Sequence, residues 1–413
     1  MSFSVYRRES CRLCGGKDLQ VALQLPATPI GDDFVRKEDL GRDQETYPLH
    51  LILCKSCGNV QLLNVVDPGS VYRNYRYRTS ISSGLADHFQ RYSNQILERV
   101  NPERASFVVE MGSNDGTLLR CFQRRGMRVL GVDPAEEIAR KTTEGGVETT
   151  QAFFNHELAR QIRSERGPAA IIAANNVFAN IDDLSDATEG IRSLLAPNGV
   201  FVFETSYLAD VVEKALLDTI FHEHLSYFAV KPLEAFFRKL GLQLFDVQRV
   251  PTKGGSLRCF VQLSEGPHAV SPSVGKFVSY ESGLALDQLA SFESLWFHLE
   301  GLKHRLLELL NRIKADGKVI AGYGAAVGIT TMSYYFELND LLSFCVDDDP
   351  AKQDLFTPGH HIPLLPSSSL YDRGPDYVLM LAWRYFGVVR EKHEAFLENG
   401  GRFILPLPEI QEI

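Results

Sequence analysis

The stretch VVEMGSNDG, residues 108–116, decides the fold of the central part of this chain. Its β-branched start predicts a strand, its two glycines predict a tight turn, and residues 117–124 predict a helix. Gly112 and Gly116 would let a ligand lie against the backbone at the carboxyl end of the strand, where open α/β sheets bind ligands. Glu110 and Asp115 would repel a diphosphate at this turn. The spacing E-x-G-x-x-x-G also differs from the pattern G-x-G-x-x-G of dinucleotide-binding sites. A phosphate-free cofactor that carries an amino acid fits better, and a purely structural turn is the alternative.

An acidic side chain one strand later extends this site. Asp133 ends the run RVLGVD, residues 128–133, where a carboxylate can accept hydrogen bonds from both hydroxyls of a ribose. Together the turn and Asp133 resemble the cofactor site of class I S-adenosylmethionine-dependent methyltransferases. The resemblance implies adenine contacts near residues 151–153 and places Asn175 against the methionyl part or the active site. The expected cofactor contacts are Glu110, Gly112, Asn114, Gly116, Asp133, Pro134, Gln151, Ala152, Phe153 and Asn175.

Strand-like and helix-like segments alternate in two parts of the chain. Between residues 106 and 250, short β-branched runs alternate with helical stretches, which predicts a doubly wound parallel sheet. A second alternation begins at KVIAGYGAA, residues 318–326, after a long helical stretch from about residue 286 to 314. Residues 83–100 carry apolar side chains at helical spacing, which predicts an amphipathic helix before the first sheet. We therefore expect two α/β domains joined by a helix.

Four of the seven cysteines form two CxxC pairs, Cys11 with Cys14 and Cys54 with Cys57. A glycine follows each pair and permits a tight turn, so four thiolates can converge on one tetrahedral zinc ion. Four protein ligands leave no open position, so the metal would be structural. It would fold a small unit, residues 1–72, in which LHLILC at residues 49–54 predicts a buried strand. Unrelated buried cysteines or a redox pair are the alternatives.

The segment FHEH, residues 221–224, is a third group that could carry chemistry. Imidazole and carboxylate side chains can accept protons near neutral pH, so the segment predicts a general base. Its H-x-H spacing lacks the i, i+4 spacing of the metal-binding pattern HExxH. Metal ligands and a histidine pair without chemistry are the alternatives.

Composition and charge narrow the class of protein. With 413 residues, 44% of them hydrophobic and 23% charged, the chain should form two or three globular domains. A net charge of -9 without a basic stripe argues against nucleic acid as a partner. The polar N-terminus is unlike a secretory signal, and no run of about 18 apolar residues predicts a membrane span. We expect a cytoplasmic protein with no membrane partner, whose cysteines are thiols or metal ligands rather than disulfides.

These groups occur in the same order, over nearly the whole chain, in a known family. The CxxC pairs, EMGSNDG, FHEHLSYF, KGGSLR at residues 253–258, and GYGAA with TPGHHIP resemble the three-domain sugar C-methyltransferases that make branched deoxysugars such as tetronitrose and mycarose. The resemblance implies an α/β fold with an N-terminal zinc-binding domain at 1–72, a central class I methyltransferase Rossmann-like domain at 73–300 and a C-terminal Rossmann-like domain at 301–413. It also implies S-adenosylmethionine, structural zinc and a nucleotide-linked 4-keto-6-deoxysugar, commonly carried on dTDP. We expect a monomer or a small homo-oligomer.

The resemblance also implies roles for single residues. His224 becomes the base that removes a proton from carbon 3 of the sugar, Glu223 orients that base or polarises the keto group, and His222 belongs to the same catalytic group. Tyr75 and Tyr77 would enter the site from the zinc domain, with apolar strand packing as the alternative. The chain then transfers the methyl group to an enolate carbon, a step that depends on positioning.

Two expected substrate contacts depart from the family pattern. Phe221 stands where relatives have tyrosine, and Asn180 stands where relatives have histidine near the end of the strand-4 loop. Phenylalanine cannot exchange a proton, so the acceptor carbon or the stabilisation of the enolate would differ. Methylation of another activated ketone or another sugar carbon, and a non-catalytic scaffold, stay open as alternatives. The other expected substrate contacts are Lys253, Gly255 and Arg258 on the diphosphate, where a plain hairpin turn is the alternative, and Tyr323, Trp383 and Arg384 in the same cleft.

Overall fold

The N-terminal unit is an antiparallel sheet built beside the cysteine pairs. The computed structural model of the chain describes residues 4–72, 78–81 and 84–413. The elements of this unit are β1 (Val5–Arg7), β2 (Leu19–Thr28), β3 (Tyr47–Cys54), β4 (Val60–Leu62), β5 (Asn64–Val66) and α1 (Pro68–Tyr72). Strands β2, β3 and β4 pair in that order, and β1 pairs with β5. The buried strand predicted at residues 49–54 is confirmed and forms most of β3.

A seven-stranded sheet forms the middle of the chain. Its strands are β6 (Phe107–Met111), β7 (Arg128–Asp133), β8 (Thr149–Gln151), β9 (Ala169–Asn175), β10 (Leu195–Ser206), β12 (Leu242–Val250) and β13 (Ser256–Leu263). The short strand β11 (Ser226–Tyr227), between β10 and β12 in the chain, belongs to the N-terminal sheet. The order is β12-β13-β10-β9-β6-β7-β8, and β13 runs antiparallel to both of its neighbours. The predicted doubly wound parallel sheet is confirmed for β6 to β10, and the whole is the class I methyltransferase fold.

Helices cover both faces of this sheet. The helices of this part of the chain are α2 (Leu85–Val100), α3 (Thr117–Arg124), α4 (Glu136–Glu144), α5 (His156–Arg166), α6 (Leu184–Leu194), α7 (Leu208–Glu213), α8 (Val230–Lys239) and α9 (Pro272–Gly283). The next helix, α10 (Leu289–Ala315), contacts β2 of the N-terminal unit. Because both faces are covered, β6 is buried at all five positions. On one face the rings of Phe178, Phe201, Phe203 and Phe237 lie with centroids no more than 6.4 Å apart. Phe178 thereby fixes the loop after β9, which borders the site described below.

The C-terminal unit is a six-stranded sheet with order β16-β15-β14-β17-β18-β19. Its elements are β14 (Ile320–Tyr323), α11 (Val327–Tyr335), β15 (Phe344–Val346), β16 (Leu364–Leu365), α12 (Ser369–Asp372), β17 (Tyr377–Met380), α13 (Phe386–Lys392), α14 (Glu394–Glu398), β18 (Arg402–Leu405) and β19 (Gln411–Glu412). All neighbours are parallel except β18 and β19, so the second predicted alternation is confirmed. The expected domain boundary at residue 300 falls inside the continuous helix α10. In the described part of the chain, no helix combines the length and apolar character needed to cross a membrane.

Short 3-10 turns connect several of these elements. They lie at Lys37–Asp39, Thr79–Ile81, Phe178–Asn180, Leu217–Thr219, Thr252–Gly254, Pro350–Lys352 and Trp383–Tyr385.

The segment between α7 and α8 lies where the three units meet. Its strand β11 pairs antiparallel with β4 and so joins the N-terminal sheet. On the other side, the hydroxyl of Thr331 in α11 donates to the carbonyl of Ile220 at 2.6 Å. A backbone bridge between Val35 and Phe356 links the N-terminal and C-terminal units directly. The FHEH segment therefore lies at the junction of all three units.

Candidate active site

A cavity of about 240 Å³ opens at the carboxyl ends of β6, β7 and β9. The turn after β6 and the acid that ends β7 both border it, at the edge where parallel sheets bind ligands. The expected cofactor contacts on its wall are Gly112, Asn114, Asp133, Pro134, Ala152, Phe153 and Asn175. Other described residues on the wall are Pro68, Tyr72, Thr79, Leu85, Phe89, Met111, Val132, Phe154, Asn176, Val177, Asn180, Ile181, Asp182 and Lys253.

The turn after β6 needs glycine at position 112, both for its backbone conformation and for the space beside the cavity. Gly112 has a φ of 63°, and a Cβ atom there would lie 2.2 Å from a methyl carbon of Val177 on the opposite wall. The carboxylate of Asp133 accepts the backbone N–H of Asn114 at 2.9 Å and that of Ala135 at 3.0 Å. Burial raises the pKa of Asp133, and these two hydrogen bonds oppose the rise. Asp133 thus fixes the rim of the cavity, and its remaining oxygen lone pairs could accept hydrogen bonds from the two hydroxyls of a ribose.

Two polar side chains beside the turn have buried atoms without a hydrogen-bond partner in the described residues. Both amide atoms of Asn175 and Oε2 of Glu110 are buried and have no hydrogen-bond partner in the described parts of the chain. Burial, with the charges of Asp115 and Asp133, raises the pKa of Glu110 well above its usual range. Unpaired buried polar atoms destabilise a protein, and Asn175 lies on the cavity wall, so a ligand there could supply its missing bonds. The amino and carboxylate groups of S-adenosylmethionine are of that chemistry, and the residues present fit this cofactor.

Three expected cofactor contacts lie off the cavity wall. Gly116 begins α3 and packs against Thr142, Gln151 is exposed, and Glu110 lies behind Met111 in β6. The structure puts Phe154 on the wall instead of Gln151. A one-residue shift of this kind is invisible to sequence reasoning because the adenine-binding loop has no fixed spacing.

The four cysteines form a site for one zinc ion. Their sulfur atoms all lie within 4.8 Å of one another, and the distances Cys11–Cys57 and Cys14–Cys54 are both 3.6 Å. Zn–S bonds of about 2.3 Å in a tetrahedron require sulfur atoms about 3.8 Å apart. A hydrogen bond from the thiol of Cys57 lowers the pKa of Cys11 to about 5, whereas burial raises that of Cys14 to about 11. A zinc ion would hold all four groups as thiolates and fold this unit around itself.

His224 is held in the tautomer of a base. Its Nδ1 lies 3.0 Å from the carbonyl oxygen of Thr219, which can only accept, so Nδ1 carries the proton and Nε2 keeps a lone pair. Burial lowers the pKa of His224 to about 4, and the positive charge of Lys253 adds to this effect. The ring of Tyr227 packs edge-on at 4.4 Å, and the ring of Phe221 stacks at 5.8 Å. His224 is therefore a neutral imidazole at pH 7 in a fixed orientation.

Glu223 is a buried acid next to His224. Neither carboxylate oxygen has a hydrogen-bond partner in the described residues, and burial raises the pKa to about 7 with a contribution from Asp32. The hydroxyl of Tyr72 donates to the backbone carbonyl of Glu223 at 3.2 Å. Tyr72 and Lys253 lie on the cavity wall, so the cofactor cavity adjoins the FHEH segment through these two side chains.

His222 contacts the zinc unit through one ring nitrogen, and its catalytic role stays a prediction. Its Nε2 donates to the carbonyl of Thr28 at 3.2 Å and lies 3.1 Å from the hydroxyl of the same residue. The ring of Tyr47 packs against it edge-on at 6.0 Å. His222 is 2% exposed, and its Nε2–H donates to Thr28 in β2. This hydrogen bond connects β2 to the FHEH segment. The expected catalytic residues Tyr75 and Tyr77 lie outside the described residues.

Arg258 is a buried structural residue, which corrects its expected role on the diphosphate. Its Nε donates to Glu204 at 2.5 Å and its Nη1 donates to Gln95 at 2.6 Å. Arg258 is 3% exposed in the middle of β13, so its charge is already paired inside the sheet. Gly255 lacks space for any side chain, because a Cβ atom there would lie 2.1 Å from the carboxyl carbon of Asp210.

The other expected substrate contacts surround Lys253. The guanidinium of Arg384 pairs with Asp218 at 2.7 Å and donates to the carbonyl of Lys253 at 2.6 Å, so it holds the turn that carries this lysine. Surrounding protein and the charge of Arg384 lower the pKa of Lys253 to about 8, although the residue is accessible to solvent. Trp383 packs on Arg384, with an indole N–H that has no partner in the described residues. Arg384 thus positions Lys253.

Tyr323 lies in a separate buried cluster of the C-terminal unit. Its hydroxyl donates to Asp348 at 2.8 Å and lies 3.2 Å from Nε2 of His393. The structure does not bring Tyr323 to the cavity wall in the described residues. Among the wall residues that sequence reasoning missed are Tyr72, Phe154 and Asp182, because no local pattern distinguishes them from packing residues.

Comparison with known proteins gives a family match for each of the three units of the structure. Three family models match: a zinc binding domain over residues 11–72, a methyltransferase domain over 78–247 and a C-methyltransferase C-terminal domain over 251–408. The C-methyltransferase NovU of Streptomyces niveus is 33% identical over 402 residues, which cover 97% of this chain and 96% of NovU.

Solved structures overlap a smaller part of the chain. A methyltransferase of Haloferax volcanii in complex with its activator Trm112 is 17% identical, covers 45% of this chain and 93% of its own, and has a TM-score of 0.35. An S-adenosylmethionine-dependent methyltransferase of Clostridium acetobutylicum is 12% identical, covers 44% of this chain and 92% of its own, and also has a TM-score of 0.35. From the family models and the match to NovU, the chain belongs to the S-adenosylmethionine-dependent C-methyltransferases that carry a zinc-binding domain.

Proposed function

We propose that this C-methyltransferase acts on a nucleotide-linked 4-keto-6-deoxysugar and methylates a carbon next to the keto group through an enolate. One observation carries the proposal. The cofactor cavity shares Tyr72 and Lys253 with the surroundings of the FHEH segment, so a base on this segment would lie near a methyl donor in the cavity. The resemblance of the sequence to sugar C-methyltransferases supports the sugar as substrate.

The reaction needs a base, a stabilised oxyanion and an aligned methyl group. A keto group acidifies the hydrogen on the adjacent carbon, and a base that removes this proton leaves the electron pair in an enolate. S-adenosylmethionine supplies an electrophilic methyl group, whose bond to sulfur breaks as the new carbon–carbon bond forms. His224 would accept the proton at Nε2, since its other nitrogen donates to Thr219. The proton then passes to solvent and restores the neutral imidazole.

Glu223 would act as the acid that polarises the keto group. Its pKa of about 7 leaves a large fraction protonated at neutral pH, and a protonated carboxyl group donates a hydrogen bond. The carboxyl group would then stabilise the enolate oxygen, as buried neutral acids do in other enolising enzymes. Phe221 has no hydroxyl for this task, and Glu223 has no competing partner in the described residues.

Lys253 would bind the anionic carrier. Its ammonium makes no hydrogen bond or ion pair within the described residues, and Arg384 holds its backbone. An unpaired ammonium on a cavity wall suits a phosphate, to which it would donate charge-assisted hydrogen bonds. A dTDP-linked sugar is the carrier that the family resemblance favours.

Carbon 3 is the proposed acceptor. Carbon 5 is the second candidate, since it also lies next to the keto group and Phe221 and Asn180 depart from the family pattern. Incubation of the enzyme with the dTDP-linked 4-keto sugar in D₂O tests both. Deuterium should enter at the carbon that the base enolises, and labelled S-adenosylmethionine should then give a methyl group on that same carbon, located by NMR. Transfer of the label to oxygen or nitrogen would refute the proposal. A complete lack of turnover with cofactor bound would favour the scaffold.

His224→Gln is the matched test of the base. The variant should lose deuterium exchange and methyl transfer while it still binds S-adenosylmethionine. Unchanged turnover would show that another group removes the proton.

A further inference from the structure

Arg12 lies between two zinc ligands, but its side chain contacts other units of the protein. Its guanidinium nitrogen Nη1 donates to the carbonyl of Leu62 at 2.9 Å and to that of Leu225 at 3.2 Å. Its Nε donates to the carboxylate of Asp182 at 2.8 Å. The side chain is fully buried. A side chain that begins in the zinc site thus ends at two distant segments of the methyltransferase domain.

Both of these segments border the candidate active site. Leu225 follows His224 directly and precedes β11, and its carbonyl also accepts the backbone N–H of Leu62 at 2.9 Å. Asp182 lies on the wall of the cofactor cavity, in the loop after β9. Arg12 therefore connects the zinc site with the proposed base on one side and with the cofactor wall on the other.

The zinc site fixes the starting point of this side chain. The backbone N–H of Arg12 donates to Gln61 at 2.8 Å, and Gln61 lies in β4 beside β11. The N–H of Gly15 donates to the carbonyl of Cys11 at 2.9 Å, which closes the turn around Arg12. A planar guanidinium can serve two carbonyls and a carboxylate at once, whereas an ammonium has no such fork.

We propose that Arg12 is a positioning residue that sets the place of His224 and the shape of the cofactor wall. The part that concerns His224 rests on the proposed function, whereas the part that concerns Asp182 does not. Displacement of a catalytic group by about 1 Å can lower a rate about 100-fold, so loss of this contact should affect catalysis as well as binding.

The test uses the full chain with Arg12→Met and Arg12→Lys, and Arg8→Met as the matched control. Arg8 also pairs with Asp182 at 2.8 Å, but it makes no hydrogen bond to Leu225 in the described residues. For each variant, zinc content is measured by metal analysis, cofactor affinity by calorimetry, and kcat and KM by methyl transfer. Arg12→Lys conserves the charge and most of the volume of the side chain. It therefore tests the branched hydrogen bonds of the guanidinium group even when Arg12→Met fails to fold.

We expect the Arg12 variants to keep about one zinc per chain. Their affinity for S-adenosylmethionine should fall about 10-fold and their kcat about 10- to 100-fold, whereas Arg8→Met, which removes a contact to Asp182 but none to Leu225, should lower the affinity as well but change kcat by less than about 2-fold. Zinc-loaded Arg12→Lys with unchanged affinity and kcat would overturn the proposal. Activity lost only in proportion to lost zinc would also overturn it. If the wild type fails to methylate any keto sugar, the proposed function fails, and the affinity measurement still tests the contact of Arg12 with Asp182.

Discussion

Replacement of Glu223 by glutamine should make the protein more stable at alkaline pH. The carboxylate of Glu223 is buried without a hydrogen-bond partner in the described residues, so its ionisation inside the folded protein is unfavourable. Burial raises its pKa from 4.5 to about 7 in the folded chain. Glutamine has nearly the same shape and cannot ionise, so it removes this unfavourable ionisation and leaves the packing in place.

The sign and the size of the effect follow from the two pKa values. Between about pH 4.5 and pH 7 the unfolded chain has lost the proton of Glu223 while the folded chain keeps it. The folded state binds more protons in this window, so the free energy of unfolding falls as the pH rises through it. Each pH unit in the window changes the free energy of unfolding by about 1.36 kcal/mol, which gives about 2.5 kcal/mol between pH 5 and pH 8. Glu223→Gln should lack this decrease.

Unfolding in urea at pH 5 and at pH 8 measures the effect. The comparison is the wild type against Glu223→Gln, with Glu265→Gln as a control at an exposed glutamate. Other titrating groups contribute equally to all three proteins and cancel in the differences. The variant should gain stability over the wild type by about 2.5 kcal/mol more at pH 8 than at pH 5, and the control should gain nothing. An equal difference at both pH values would show that Glu223 ionises freely in the folded protein, and our account of its role as an acid would fail.

Four further outcomes are expected. Replacement of Cys54 and Cys57 by serine should remove about one zinc per chain and unfold the N-terminal unit, seen by metal analysis and circular dichroism; a folded, zinc-free variant would contradict a structural metal. Asn175→Ala should weaken binding of S-adenosylmethionine about 10-fold in calorimetry, because a buried hydrogen bond is lost. Lys253→Met should raise KM for the nucleotide sugar at least about 10-fold with cofactor affinity unchanged, and an unchanged KM would remove the lysine from the carrier site. His224→Gln should lower kcat about 100- to 10,000-fold without weakening cofactor binding.

The features that were predictable from the sequence are those whose cause lies within a few residues. A CxxCG turn brings two thiolates together by its own geometry, so two such turns predict the zinc site without knowledge of the fold. The turn at Gly112 is likewise local, because its φ of 63° and the acid one strand later follow from a strand–turn–helix unit. Asn175 was predictable because it ends β9, and the carboxyl ends of parallel strands meet at one edge.

Other features depend on partners that no local pattern identifies. Arg258 stands in a glycine-rich segment that is typical of anion binding, yet Glu204 in the neighbouring strand β10 pairs with it inside the sheet. The register of β10 and β13 places these two residues opposite each other, and the sequence contains no information on that register beyond alternation. A buried ion pair therefore replaced the expected phosphate contact.

The FHEH segment shows why the site itself could be predicted only in part. His222 and His224 are two residues apart, and no local pattern in the sequence distinguishes the contacts of one histidine from those of the other. Their partners differ because the segment lies between units: His222 contacts Thr28, which is 194 residues away, whereas His224 contacts Thr219, which is five residues away. Arg12 reaches Leu225 across 213 residues of chain. The N–H of His222 therefore connects the segment to the zinc unit, whereas the N–H of His224 is used by a residue close to it in the chain. The zinc unit, although remote from the cofactor in sequence, holds the segment from which the proposed base acts.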